Sequence, residues 1–120
     1  MALVDDLMFL SRVREAARGR GMEVQAARTV PQLIVACRLN ARLVFVDLDS
    51  PRLPVGDALA ALKADADLST LPVIGFFSHV HAERGRAARA AGCTRALPRS
   101  AFIEELPALL QAAGEDKPLA

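Results

Sequence analysis

The chain has 120 residues, 52% of them hydrophobic, and its 15 basic and 14 acidic side chains nearly cancel. This length suits one domain with a hydrophobic core, and the balanced charge gives no general attraction to nucleic acid or to an anionic membrane. No apolar run approaches the roughly 20 residues of a membrane-spanning helix, and the early acids exclude a secretory signal peptide. We therefore expect a cytoplasmic protein without nucleic-acid or membrane partners.

The first half of the chain predicts alternating strands and helices. Residues 2–4 form a short apolar run, and residues 7–18 have apolar positions at helical spacing. Residues 22–26 have the alternating character of a strand. A second helix is predicted between the capping residue Thr29 and a stop at Asn40.

The second half continues the alternation. Strands are predicted at 43–46, 73–77 and 94–97, and helices at 57–64, 82–91 and 103–113, with Pro107 in the opening turn of the last helix. Strict alternation predicts an α/β fold, in which helices cover both faces of a five-stranded parallel sheet. We expect the flavodoxin-like, doubly wound order 2-1-3-4-5. The domain should span residues 1–113, with a flexible tail at 114–120.

Acidic residues follow two of the predicted strands. Asp5 and Asp6 come after the first strand, and Asp47 and Asp49 come after the third. These strands are neighbours at the switch point of the 2-1-3-4-5 order, so the carboxylates should converge in one cleft. Close carboxylates suit a hard divalent cation such as Mg²⁺. Alternatively, these acids are ordinary turn and capping residues at strand ends.

With these acids in place, the sequence resembles the receiver domain of two-component response regulators. The resemblance covers about residues 3–110. It depends on the acidic pair after the first strand and on the motif Val-Asp-Leu-Asp-Ser-Pro at 46–51. Further support comes from Pro-Val-Ile at 72–74 and from Ala-Gly-Cys at 91–93.

The resemblance implies a role for each acid. Asp47 would be the phosphoacceptor, and Asp5, Asp6 and Asp47 would hold Mg²⁺ with the backbone carbonyl of Asp49. Arg99 takes the place of the family's lysine, which pairs with the acceptor and its phosphoryl group. Arginine keeps the positive charge but has a different geometry.

The sequence also departs from the family pattern. Where the family has a threonine or serine at the end of the fourth strand, this chain has Phe77, and the hydroxyl of Ser78 comes one place later. Neighbouring residues of a strand face opposite ways, so Ser78 can serve only if the strand ends early or bulges. The aromatic residue expected in the fifth strand is replaced by Ala96.

Two functions follow from the resemblance. The first is a stand-alone, non-enzymatic receiver domain in a phosphorelay, with a histidine kinase or phosphotransfer protein as donor. Its downstream partner would bind the face formed by the fourth helix, fifth strand and fifth helix, and a homodimer is left open. The alternative is a pseudo-receiver that docks on proteins without phosphorylation. A flavodoxin-like small-molecule binder is a third hypothesis.

Other chemistry finds less support. His79 and His81 could bind a transition metal or accept a proton, but no third ligand is nearby in sequence. The loop at 50–56 has no nucleotide-binding glycine motif. Cys37 and Cys93 are predicted to be small apolar residues rather than a disulfide or metal pair.

Overall fold

A computed structural model describes residues 1–4, 6–39 and 41–115 of the protein. The strands are β1 (Ala2–Leu3), β2 (Val44–Asp47), β3 (Val73–Phe77) and β4 (Arg95–Pro98). The helices are α1 (Leu7–Arg18), α2 (Val30–Arg38), α3 (Val55–Ala64), α4 (Ala82–Ala90) and α5 (Arg99–Gly114), and a 3₁₀ turn at His79–His81 precedes α4. No helix in these ranges has both the length and the apolar content to cross a bilayer.

The four strands form one parallel sheet in the order β1-β2-β3-β4. Every residue of β2 and β3 is buried, as their continuous apolar sequences predict for central strands. Asp47 is paired with Phe76, and Phe77 with Pro98. The carboxyl ends of β2, β3 and β4 therefore meet at one edge of the sheet, close to Asp47.

The predicted strand at 22–26 is wrong in its extent. It is reduced to a single parallel bridge between Ala26 and Ala2, with hydrogen bonds from Ala2 N to Gln25 O (2.8 Å) and from Ala27 N to Ala2 O (2.9 Å). Because β1 has only two residues and Gln25 and Ala26 are exposed, a longer ladder lacks both a partner and apolar burial. The bridge lies on the free side of β1, so the predicted order and α/β fold are confirmed.

Helices pack on both faces of the sheet. The core between the sheet and α1 and α5 contains Phe9, Leu10, Val13, Phe45, Ile74, Phe76, Phe102, Leu106 and Leu110. The core on the α2, α3 and α4 side contains Leu33, Cys37, Val44, Val46, Leu59, Leu62, Phe77, Ala88 and Cys93. Both cysteines are free and buried, as predicted.

Two helices begin earlier than predicted. α3 begins at Val55 rather than at residue 57, and α5 begins at Arg99 rather than at residue 103. Pro107 therefore lies inside α5 and not in its opening turn. Since Pro98 ends β4 and is also the N-cap residue of α5, no loop separates the two elements. This direct junction brings Arg99 to the carboxyl edge of the sheet.

The predicted cap of α2 is confirmed, because Thr29 Oγ1 accepts a hydrogen bond from Gln32 N at 3.2 Å. The predicted stop of that helix, Asn40, lies outside the described residues. Beyond α4, Gly92 has a φ of 114°, a backbone conformation that favours glycine and that ends the helix before β4.

Candidate functional site

Asp47 ends β2 at the carboxyl edge of the sheet and is only 3% exposed. Among the residues that the structure describes, no other charged or polar residue is buried to this degree. The N–H of Asp49 donates to Asp47 Oδ1 at 3.0 Å and closes the turn after the strand. A buried carboxylate also needs a cation nearby to stabilise its charge.

Arg99 provides this cation from the first residue of α5. Its Nη2 lies 3.3 Å from both carboxylate oxygens of Asp47. Its Nη1 lies 3.6 Å from Asp6 Oδ2, and its Nε lies 3.9 Å from Asp49 Oδ2. One guanidinium thus faces three carboxylates, one at the start of α1 and two at the end of β2. We call the site formed by Asp6, Asp47, Asp49 and Arg99 the acidic cleft.

Two buried aromatic rings hold the Arg99 guanidinium in place. Its Cζ lies 5.1 Å from the ring centroid of Phe9 and 5.2 Å from that of Phe76. These rings stack on each other with centroids 4.2 Å apart, and both belong to the core under α1 and α5. A guanidinium at this distance from an aromatic ring is attracted to it. The position of Arg99 is therefore fixed by packing as well as by charge.

Asp49 forms a second network of contacts. Its Oδ2 accepts a hydrogen bond from Ser78 N at 2.6 Å, and its Oδ1 accepts one from Arg84 Nη1 at 3.0 Å. The same Oδ1 lies 3.3 Å from His81 Nδ1. Arg84 Nη1 also lies 3.4 Å from the backbone carbonyl oxygen of Asp49. Arg84 therefore contacts the carbonyl that the resemblance assigns to a metal ion.

Asp6 combines two roles. Its Oδ1 accepts hydrogen bonds from Met8 N and Phe9 N, both at 3.1 Å, and so caps the N-terminus of α1. Its Oδ2 faces Arg99. The structure thus brings Asp6 into the cleft with Asp47 and Asp49, and it also supports the capping alternative for this residue. Asp5, the other acid of the predicted pair, lies outside the described residues.

The positions that would sense a phosphoryl group are arranged differently from the family pattern. Phe77 packs against α4, where a Cβ built on Gly85 would stand 2.5 Å from Phe77 Cε1. Its side chain therefore lies in the α4 core and not in the cleft. β3 ends at Phe77, so Ser78 lies beyond the strand, and its backbone N–H makes the contact to Asp49. Ala96 is buried in β4 opposite Gly75.

The pKa of Asp47 is set by burial and by its charged and hydrogen-bonding neighbours. Burial raises the pKa of the Asp47 carboxyl, the Asp49 N–H and Arg99 lower it, and the carboxylates of Asp49 and Asp6 raise it further. Asp47 could act as a nucleophile only through a carboxylate oxygen, but its side chain is almost completely buried and Arg99 Nη2 lies 3.3 Å from both oxygens. The observed state is a closed ion-pair network.

The described residues do not fit a magnesium ion in this arrangement. Within residues 1–4, 6–39 and 41–115, no group of three histidine, cysteine or acidic side chains is placed to hold a metal. Arg99 lies among the three carboxylates, and Arg84 contacts the Asp49 carbonyl. The oxygen ligands have the chemistry that Mg²⁺ requires, but they already surround guanidinium groups.

Sequence reasoning missed two residues of the site. Arg84 was not identified as a site residue, and His81 was considered only as a transition-metal ligand or proton acceptor. Their spacing of three residues places both on one side of a helical turn, directly after the strand that ends beside the cleft. That spacing was the available signal. His79, the other histidine of the predicted pair, is exposed.

Comparison of structures finds similar proteins, whereas comparison of sequences finds none. No protein-family model and no curated protein matches the chain. A putative response regulator from Chloroflexus aurantiacus matches with a TM-score of 0.79 and 18% identity, over 93% of each chain. The phosphorylated cyanobacterial phytochrome response regulator RcpA matches with a TM-score of 0.71 and 18% identity, over 95% of this chain and 89% of that chain. The Mn²⁺-bound response regulator Rcp1 matches with a TM-score of 0.68 and 17% identity, over 92% of this chain and 87% of that chain. The chain therefore has the fold of response-regulator receiver domains, as the motifs indicated.

Proposed function

We propose that the chain is a non-enzymatic signalling module that docks on partner proteins while Arg99 keeps its acidic cleft closed. The supporting observation is the state of Asp47, which is 3% exposed and has both oxygens 3.3 Å from Arg99 Nη2. A carboxylate nucleophile must present an accessible oxygen to phosphorus. Docking requires no such oxygen, so it is compatible with the closed cleft.

The face formed by α4, β4 and α5 supports docking on an acidic partner. Arg86 and Arg89 are exposed on α4, and Arg89 Nη1 donates to Ala96 O of β4 at 3.1 Å. Arg95 is neutralised by a two-pronged contact with Glu105 of α5, at 3.1 and 3.2 Å, so the positive charge of this face comes from Arg86 and Arg89. Complementary charge steers protein association. We therefore expect the partner, a histidine kinase, phosphotransfer protein or downstream protein of such a pathway, to present carboxylates to this face.

A second candidate function is acceptance of a phosphoryl group by Asp47 in a phosphorelay, with Mg²⁺ as cofactor. It is favoured by the position of Asp47 at the carboxyl edge of the sheet and by the likeness to a phosphorylated response regulator. In this function Arg99 would have to release Asp47 and would then donate to phosphoryl oxygens, for which a guanidinium is suited.

Chemical phosphorylation separates the two functions. The wild-type protein is incubated with acetyl phosphate and Mg²⁺, and its intact mass and amide spectrum are recorded. Under the docking proposal we expect neither a mass adduct nor shifts of amides near Asp47. An adduct of phosphoryl mass on Asp47 would reject the docking proposal in favour of phosphoryl acceptance.

Partner capture tests docking directly. Wild-type protein, Asp47→Ala and Arg86→Glu are used as baits against the source lysate, and captured proteins are compared by mass spectrometry. A specific partner should be retained by Asp47→Ala and weakened by Arg86→Glu, because only the second variant reverses charge on the proposed face. The opposite pattern would show that the carboxylate, and not the face, controls binding.

A further inference from the structure

We propose that Arg99 and Arg84 are the permanent cations of the acidic cleft and exclude a divalent metal ion from it. The Arg99 guanidinium lies within 3.9 Å of carboxylate oxygens of Asp6, Asp47 and Asp49. A divalent cation bound to the same oxygens would stand beside a positive group at close range, where like charges repel strongly. Metal exclusion by Arg99 and Arg84 does not depend on whether the protein docks on a partner.

The geometry of arginine suits it to this role. Its planar fork carries donors that point in several directions, and here Nη1, Nη2 and Nε each face a different acid. The stacked rings of Phe9 and Phe76 lie beside the guanidinium at 5.1 and 5.2 Å. Arg99 is therefore held in the cleft by contacts that a flexible surface arginine lacks.

Arg84 acts on the other side of Asp49. Its Nη1 lies 3.0 Å from Asp49 Oδ1 and 3.4 Å from the Asp49 carbonyl oxygen. With both arginines in place, the cleft contains two guanidinium groups for the three described carboxylates. Among the described residues, Asp6, Asp47 and the Asp49 carbonyl, which the resemblance assigns to a metal, therefore each have a guanidinium neighbour.

Removing Arg99 should expose a latent metal site. In Arg99→Gln the three carboxylates lose their shared cation, and oxygen ligands of this kind bind Mg²⁺ and Mn²⁺. We use Mn²⁺ as a paramagnetic probe and record amide spectra of wild-type protein, Arg99→Gln and the control Arg86→Gln, whose side chain is exposed on α4. The Arg99→Gln variant should bind Mn²⁺ at least about tenfold more tightly than wild type. Broadening should centre on residues 47–49, and Mg²⁺ should reverse it.

Wild-type protein and Arg86→Gln should show no saturable broadening at these residues. Saturable binding of Mn²⁺ to the cleft of the wild-type protein would overturn the proposal, whatever the variants do. Circular dichroism establishes whether Arg99→Gln is folded. Arg84→Gln is the second variant, since the Arg84 side chain is 41% exposed and its loss should disturb packing little. If every folded cleft variant binds Mn²⁺ as poorly as wild type, the arginines are not what excludes the metal.

Docking and metal exclusion fail in distinguishable ways. Loss of partner capture in Asp47→Ala would reject docking through the face of α4, β4 and α5 without bearing on the metal. Saturable Mn²⁺ binding by wild-type protein would reject metal exclusion and leave docking open.

Discussion

At the residue scale, the charge of Asp47 opposes folding at neutral pH. Burial raises the pKa of its carboxyl, and this effect outweighs the opposing influence of the Asp49 N–H and of Arg99. The folded protein therefore binds the Asp47 proton more tightly than the unfolded chain, whose aspartates have a pKa of about 3.9. Stability linked to that proton is present below the unfolded pKa and is lost as the pH rises through the folded pKa.

Asp47→Asn should reveal this loss. The variant has no group to ionise at position 47, so the free energy of unfolding of wild type should fall relative to that of the variant as the pH rises from below 4 toward neutral. Urea denaturation at a series of pH values measures both curves. The test is how the difference between the two free energies of unfolding changes with pH, because this change is independent of any fixed packing effect of the asparagine. A difference that stays constant or changes in the other direction would contradict it.

The sequence predicted the acids of the cleft better than their partners. The positions of Asp6, Asp47 and Asp49 follow from strand ends, which apolar runs mark clearly. Arg99 was named from the resemblance, and the structure places it beside Asp47. The contact between Arg84 and Asp49 joins residues 35 positions apart, and it depends on how α4 packs against β3. The three-residue spacing of His81 and Arg84 places them on one side of the helical turn that begins α4 but does not place that side against Asp49, so the contact was not predicted.

At the element scale, the packing of α4 against the sheet depends on the contact between Phe77 and Gly85. A Cβ on Gly85 would come within 2.5 Å of Phe77 Cε1 and 2.8 Å of Cζ, and Phe77 is only 5% exposed. Overpacking a core costs about 1–3 kcal/mol, whereas glycine to alanine in a helix gains about 1 kcal/mol. We therefore expect Gly85→Ala to lower the free energy of unfolding, as measured by urea denaturation.

Gly56→Ala is the matched control in α3. No atom lies within 4 Å of a Cβ built on Gly56, so this variant should be neutral or more stable by up to about 1 kcal/mol. In the Gly85→Ala background, replacing the Phe77 ring with the smaller side chain of leucine should recover part of the lost stability. The two residues are in contact, so the effects of their substitutions should not add. An equal fall in the free energy of unfolding of Gly85→Ala and Gly56→Ala would contradict a steric cause.

The elements were predictable where they are long or end at clear signals. α1 occupies the predicted range, and β3 ends before Ser78 as predicted. The start of α5 was missed because β4 runs directly into the helix at Pro98 and Arg99, with no loop residues to mark the change. The strand at 22–26 was over-predicted because alternation alone cannot tell how much partner strand is available to pair with it.

At the scale of the whole molecule, alternation of strands and helices determines the fold. Parallel strands need crossover helices, and right-handed crossovers place those helices on both faces of the sheet when the strand order reverses, as it does in 2-1-3-4-5. The sequence therefore predicted the sheet order and the two layers without any long-range contact being known. The same logic does not predict which interior groups carry charge, since that depends on burial at the meeting point of strands from distant parts of the chain.

The two cysteines should report whether the layer of α2, α3 and α4 unfolds as one unit. Cys37 of α2 and Cys93 before β4 are both buried in the core on that side of the sheet. Burial raises the pKa of the Cys37 thiol, and it raises the pKa of Cys93 to about 11. Because the thiolate is the reactive form, both should resist iodoacetamide at neutral pH in the folded protein. Their alkylation rates, followed by peptide mass spectrometry, should rise together with urea as the shared core opens. Reaction of Cys37 well before Cys93 would mean instead that α2, beside the single bridge at Ala26, detaches while the rest of the layer stays folded.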